Sequence, residues 1–138
     1  MDLPKIHVNR LRERFQRLDD PYEIAGRLGI TIKKEDLGSI FGYFYKYKNI
    51  TTIHINSSLE EDMAKFTCLH ELGHSLLHPK LNLPFLNKNS HFPANKFERE
   101  ANRFAVLFMV GDRLPEDNET KSQFLNRCGV PENFHSFY

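Results

Sequence analysis

The stretch from Glu60 to Pro79 constrains this chain most, because it reads as a helix with almost no face left for water. Met63, Phe66 and Leu77 share a face with His70 and His74. Leu69, Gly73 and Leu76 flank that face, and Cys68 and Leu72 lie opposite. A helix apolar on so many sides is buried, so the rest of the chain must wrap around it. Ser57 or Ser58 can cap its start, with Glu60, Glu61 and Asp62 set against the positive end of the helix dipole. Pro79 ends it after about His78.

The flanking segments supply the wrapping. The spacing of Ile6, Leu11, Phe15 and Leu18 predicts a first helix that stops near Asp19-Asp20-Pro21. The same residues start a second helix, with Asp as its cap and Pro in its first turn, that ends at Gly29. Ile30 to Lys33 reads as a short strand. Residues 39–47 and 50–56 are aromatic and β-branched about Lys48-Asn49, the pattern of a β-hairpin. Its strands alternate, with Ile53 and Ile55 on one face and Thr52 and His54 on the other. Its open edge could pair with an extended peptide. Lys80 to Ala94 reads as a long loop. A helix from about Asn95 to Val110 follows, stopped by Gly111, and then one or two short helices around Lys121 to Arg127 and after Pro131. The expected class is α+β, a small single domain over 1–138 with a short antiparallel or mixed sheet. Its core covers about 20–110, and a helical tail covers 111–138.

Composition narrows the function classes. A net charge of +1 gives no electrostatic footprint for nucleic acid. The basic cluster Arg10, Arg12, Arg14 and Arg17 is expected to be the solvated face of an amphipathic helix. No run reaches the length of a membrane span, and the N-terminus lacks a signal stretch, so a cytoplasmic protein is expected. Cys68 and Cys128 are too few for a disulfide framework and have no Cys-x-x-Cys partner for zinc. With 12 Phe and no Trp, the core must take its large apolar volume from phenylalanine.

Within the buried helix stands His70-Glu71-Leu72-Gly73-His74, a His-Glu-x-x-His pattern. Residues four apart lie on one helix face about 6 Å apart along the axis, so two imidazoles can converge on one zinc ion. Glu71 lies about 100° further round, where a general base beside the ion must sit. His78 is about 12 Å along the axis from His70, too far to share an ion with both, and is read as structural.

A catalytic zinc site needs a third protein ligand. On the later helix, Glu98 shares a face with Ala101, Asn102, Ala105 and Met109, with phenylalanines flanking it. A carboxylate amid an apolar face needs a cation, which makes Glu98 the third candidate. Glu100 falls on the opposite side with Arg99 and Arg103, expected to be a solvated, ion-paired surface. Asn102, one turn later, is placed to hydrogen-bond a ligand from behind. Ala101, Ala105 and Gly73 permit close approach of the two helices. Two neutral imidazoles and a carboxylate leave one zinc ion a formal charge of +1, which favours an activated water for attack on a peptide carbonyl. His91, Tyr43 and Tyr45 are candidates for holding the oxyanion or the substrate.

These residues resemble the ImmA/IrrE-type metallopeptidases. The resemblance rests on Phe66-Thr67-Cys68-Leu69-His70-Glu71-Leu72-Gly73-His74-Ser75-Leu76-Leu77-His78, on Glu98-x-Glu100-Ala101-Asn102-x-Phe104-Ala105 and on Ile53-His54-Ile55-Asn56. It covers roughly residues 20 to 110. It implies a gluzincin-like core with a zinc helix and a second ligand helix. By position it assigns His70, His74 and Glu98 to zinc and Glu71 to catalysis. It also implies intracellular cleavage of helix-turn-helix (XRE-like) repressors encoded nearby on a phage or mobile element. Two features depart from the family. Phe108-Met109-Val110-Gly111 stands where a Leu-Met-Pro-like stretch is common, and the larger sensor domain of some relatives, with regulation by it, is not expected. Two other readings compete with the peptidase: a metal-containing antirepressor that acts by binding without hydrolysis, and a toxin-like partner of a DNA-binding antidote. An intact Glu71 favours the enzyme.

Overall fold

A computed structural model describes residues 1–80, 85–86 and 95–138. Each of the first two helices starts on an aspartate followed by a proline in the first turn. Asp2 caps α1 (Leu3–Arg14) and Asp20 caps α2 (Pro21–Arg27). The carboxylate accepts a backbone N–H that would otherwise lack a partner, and proline has no N–H to satisfy.

Among the described residues, four strands follow the hairpin logic and extend it. They are β1 (Thr31–Glu35), β2 (Ile40–Tyr47), β3 (Ile50–Asn56) and β4 (Phe85–Leu86), in the order β1-β3-β2-β4. β1 runs parallel to β3, and β2 runs antiparallel to both β3 and β4. At the hairpin turn Lys48 and Asn49 have φ of 48° and 65°. Positive φ at both central residues is the turn whose twist suits paired strands. Ile53 and Ile55 are fully buried, while Thr52 and His54 face the other way and stay partly exposed.

The helix α3 (Glu61–Leu77) lies on the inner face of this sheet, and α4 (Lys96–Val110) packs along α3. Two glycines set these distances. A Cβ on Gly42 would stand 2.6 Å from the carbonyl oxygen of His54 and 2.7 Å from Cγ2 of Thr67 in α3. One on Gly73 would stand 3.0 Å from the ring of Phe104 in α4. Phe66, Phe104, Phe108 and Phe124 are all at most 1% exposed. Each contributes roughly 1.5–3 kcal/mol of apolar burial. The tail joins the same core through Phe124 and Leu125 of α5 (Lys121–Arg127) and through Val130. A final 3-10 helix, Glu132–Phe137, stacks Phe134 on Phe66 at 4.1 Å.

Four expectations are corrected. Neither Ser57 nor Ser58 caps α3; Glu60 holds that place without a side-chain hydrogen bond. The Ser58 hydroxyl instead donates to Oδ1 of buried Asn56 at 2.9 Å, while Nδ2 of Asn56 donates to the carbonyls of Gly38 and Ile40. Satisfying a buried amide outweighs a cap at an exposed helix start. Second, part of the presumed loop is strand, because β4 pairs beside Ile40 and Gly42. Third, the hairpin's open edge is shorter than expected: β3 is flanked on both sides and β4 takes the start of β2, while residues 43–47 of β2 have no strand on that edge among the described residues. Fourth, Arg12 leaves the solvated basic face. It donates to the carbonyl of Phe108, lies 4.6 Å over that ring and pairs with Asp19.

Candidate metal centre

α3 presents His70 and His74 one turn apart, and burial leaves them 0% and 2% exposed. Asn95 caps α4 by accepting the backbone N–H of Glu98 at 2.9 Å, which fixes Glu98 in the first turn of that helix. The two helices then bring three side chains to one point. Nε2 of His70 lies 3.2 Å from Oε2 of Glu98, and Nε2 of His74 lies 2.9 Å from its Oε1. The two Nε2 atoms are 3.1 Å apart.

Those distances suit a metal ion. Tetrahedral ligands about 2.0–2.1 Å from zinc stand about 3.3 Å from one another. Without an ion, each Nε2 can donate to its own oxygen of Glu98, but the two N–H groups then crowd one another at 3.1 Å. Among the described residues, His70, His74 and Glu98 are the group of such side chains that could hold a metal.

Electrostatics prepares these groups. Burial lowers the pKa of His70 despite the opposing pull of Glu98, and so favours the neutral imidazole that a metal needs. For Glu98, burial acts upward, but hydrogen bonds from His70 and His74 prevail and hold the carboxyl down at about 2. Glu71 goes the other way. It is fully buried, and neither carboxylate oxygen has a hydrogen-bond partner among the described residues. Burial first, and the charge of Glu98 second, push its pKa well above the usual carboxylate range. A buried carboxylate without a partner beside a second, ionised one calls for a nearby cation. The donor set and this orphaned carboxylate therefore fit a divalent ion.

Behind the cluster, Oδ1 of Asn102 lies 2.7 Å from Nδ1 of His70, the contact read from the helix face. Tyr43 and Tyr45 do not join. The pleat turns Gly42 and Phe44 toward α3, so Tyr43 stacks on His54 at 4.5 Å on the far face, and Tyr45 is exposed beside Tyr47. His91 lies outside the described residues. Glu100 is not a solvated partner of the arginines: Oε1 sits 3.1 Å from Nε2 of His78, and Arg103 pairs with Asp2 at 2.6 Å. The sequence reading also missed Phe85, whose ring stacks on His70 at 3.8 Å. No local signal marks Phe85, since a two-residue strand has no period; His78 carried one, its four-residue spacing from His74.

The family model described as the IrrE N-terminal-like domain of peptidase M78 matches residues 25–127. The chain belongs to this family. The matched region contains both helices of the donor cluster and the strands beneath them. Among relatives, "Uncharacterized immunity region protein 2" of Bacillus phage phi105 is 40% identical over 111 residues, 80% of this chain and 70% of that protein. "Metallopeptidase ImmA" of Bacillus subtilis (strain 168) is 35% identical over 95 residues, 67% of this chain. The chain spans 55% of the length of that second relative. No solved structure matches. Among the described residues, no helix of this IrrE-like domain is long and apolar enough to cross a membrane.

Proposed function

We propose that this chain is a zinc-dependent endopeptidase, with His70, His74 and Glu98 as metal ligands and Glu71 as catalytic base. The observation that carries this reading is the convergence of three ligand atoms within 4.8 Å of one another next to a buried carboxylate without a partner. When bound, the zinc ion supplies a water of near-neutral pKa and polarises the scissile carbonyl. Glu71 takes the proton of the attacking water on its carboxylate and delivers it to the leaving amine nitrogen. Beside a bound dication Glu71 would be held ionised, against the effect of burial. Asn102 accepts from Nδ1–H of His70 and keeps the Nε2 lone pair toward the ion. Phe85 shields one side of that ring from water.

The substrate we propose is a helix-turn-helix repressor encoded nearby on a phage or mobile element, met in the cytoplasm. Membership of the family supports the activity. The relatives' names, one an immunity-region protein and one a metallopeptidase, support the setting. The decisive experiment incubates the zinc-loaded chain and its Glu71→Gln variant with the neighbouring repressor. Cutting by the first and binding without cutting by the second are expected. Equal relief of repression by both, with no cleavage, would replace the peptidase with an antirepressor that acts by binding.

A further inference from the structure

His74 has two ring nitrogens to place. Its Nε2 faces Glu98 at 2.9 Å, and its Nδ1 lies 3.1 Å from Nδ1 of His78. His78 in turn sets Nε2 3.1 Å from Oε1 of Glu100. The three side chains run in line from the donor cluster toward the other face of α4, with side chains 2%, 5% and 18% exposed. The backbone of His78 has left the helix, with φ −136° and ψ 59° at the end of α3, and Phe97 packs edge-on against its ring at 4.9 Å.

We propose that His78 and Glu100 are positioning residues, which hold His74 in the one tautomer whose Nε2 lone pair faces the metal. This rests on the metal-site reading above and deepens it. The argument is one of hydrogen-bond polarity. An ionised carboxylate only accepts, so the neighbouring Nε2 of His78 donates. A neutral imidazole that donates from one nitrogen can only accept at the other. Nδ1 of His78 is then an acceptor, and Nδ1 of His74 must supply the proton. With an ion between Nε2 of His74 and Glu98, that nitrogen is left with its lone pair; without one, Glu98 at 2.9 Å calls for a proton on the same atom. Glu100 thereby dictates the tautomer of a ring that it does not touch. For His70 one contact to Asn102 does the same work, because an amide oxygen also only accepts. Both imidazoles are set to offer Nε2, from opposite sides of the cluster and by different chemistry.

Two readouts test this on the full chain. Zinc affinity is measured by competition with a chromophoric chelator. The proton on Nδ1 of His74 is followed by nitrogen NMR in zinc-loaded protein, through its protection from exchange with water. His78→Leu and Glu100→Ala should each weaken zinc binding about 10–100-fold. Both should also expose the Nδ1 proton of His74 to exchange. His78→Gln should restore much of both, since its carbonyl can accept from His74 while its amide donates to Glu100. Should the leucine variant not fold, the alanine and glutamine variants carry the comparison, with a thermal melt of each as control. Wild-type affinity and a protected Nδ1 proton in Glu100→Ala would overturn the proposal, as would a glutamine variant no better than leucine. Glu98→Ala separates the two readings. Zinc binding unchanged there overturns the metal site and this arm with it. Zinc binding lost there but intact in the His78 and Glu100 variants overturns the arm alone.

Discussion

The molecule holds two kinds of histidine–glutamate contact, and their difference lies in surroundings more than in distance. On the solvent face of the sheet, His54 and Glu35 meet at 2.5 Å, with side chains 16% and 48% exposed. Under α4, His70 and His74 meet Glu98 with the imidazoles sealed from water. The outer pair reaches solvent through Glu35, where salt screens it, and its imidazole stacks on Tyr43. The inner group is buried, keeps an ionised carboxylate, and lies near a second carboxylate that has no hydrogen-bond partner among the described residues. Desolvation leaves it with lone pairs that a cation would satisfy. Identical side-chain types therefore give a surface contact in one place and a candidate ion site in the other.

Paired substitutions break this comparison most directly. Glu98→Ala should lower zinc affinity by about two orders of magnitude or more, and Glu100→Ala less, in line with loss of a ligand against loss of its support. Glu35→Ala should leave zinc content at the wild-type level. Metal analysis of dialysed protein checks all three; zinc loss on removing Glu35 would erase the contrast.

Next in size is the seam between the two faces. Gly42→Ala should destabilise the fold by about 3 kcal/mol, because its Cβ meets the backbone of His54 and a side chain of α3 at once. Gly73→Ala should cost less, about 1–2 kcal/mol, since the ring of Phe104 can shift by tenths of an ångström. Denaturant melts compare them, and the reverse order would mean that the sheet yields more readily than the helix pair.

Smaller still is the pH dependence of the metal-free protein. The folded pKa of Glu71 lies above its ordinary 4.5, so its contribution is fully present below that value and is lost as pH rises toward the folded pKa. Glu98 has the opposite sign. Held at about 2, it contributes above 4.5 and loses that contribution as pH falls toward 2. Glu71→Gln should therefore stabilise the metal-free fold near neutral pH by about 1 kcal/mol or more, with the gap widening as pH rises. Thermal melts across pH test the sign, and a gap that narrows would refute it. Smallest is the outer pair itself: Glu35→Ala should change stability by less than about 1 kcal/mol, and salt should weaken even that.

Much of this arrangement was legible in the sequence, at the level where geometry is local. Asp20-Pro21 marked a helix start, and Lys48-Asn49 marked a hairpin turn. The 100° advance per residue on α4 separated Glu98 from Glu100 and put Asn102 behind a histidine. The same reasoning misjudged the far side of that helix, where Glu100 was expected to face water. A helical wheel states which way a side chain points but not what another element has placed there.

What the sequence determined by itself was therefore phase: the helix period set the faces of His70, His74 and Glu98, and the strand period set Ile53 against His54. Only the tertiary structure decided contact. It drew Ser58 to Asn56, laid Phe85 over His70 and brought His78 at the end of α3 to Glu100. Periodicity comes from backbone hydrogen bonds between near neighbours in the chain, and it survives reading residue by residue. These last partners meet across helix ends and strand edges. They depend on where separate elements dock, which burial of the whole core decides at once.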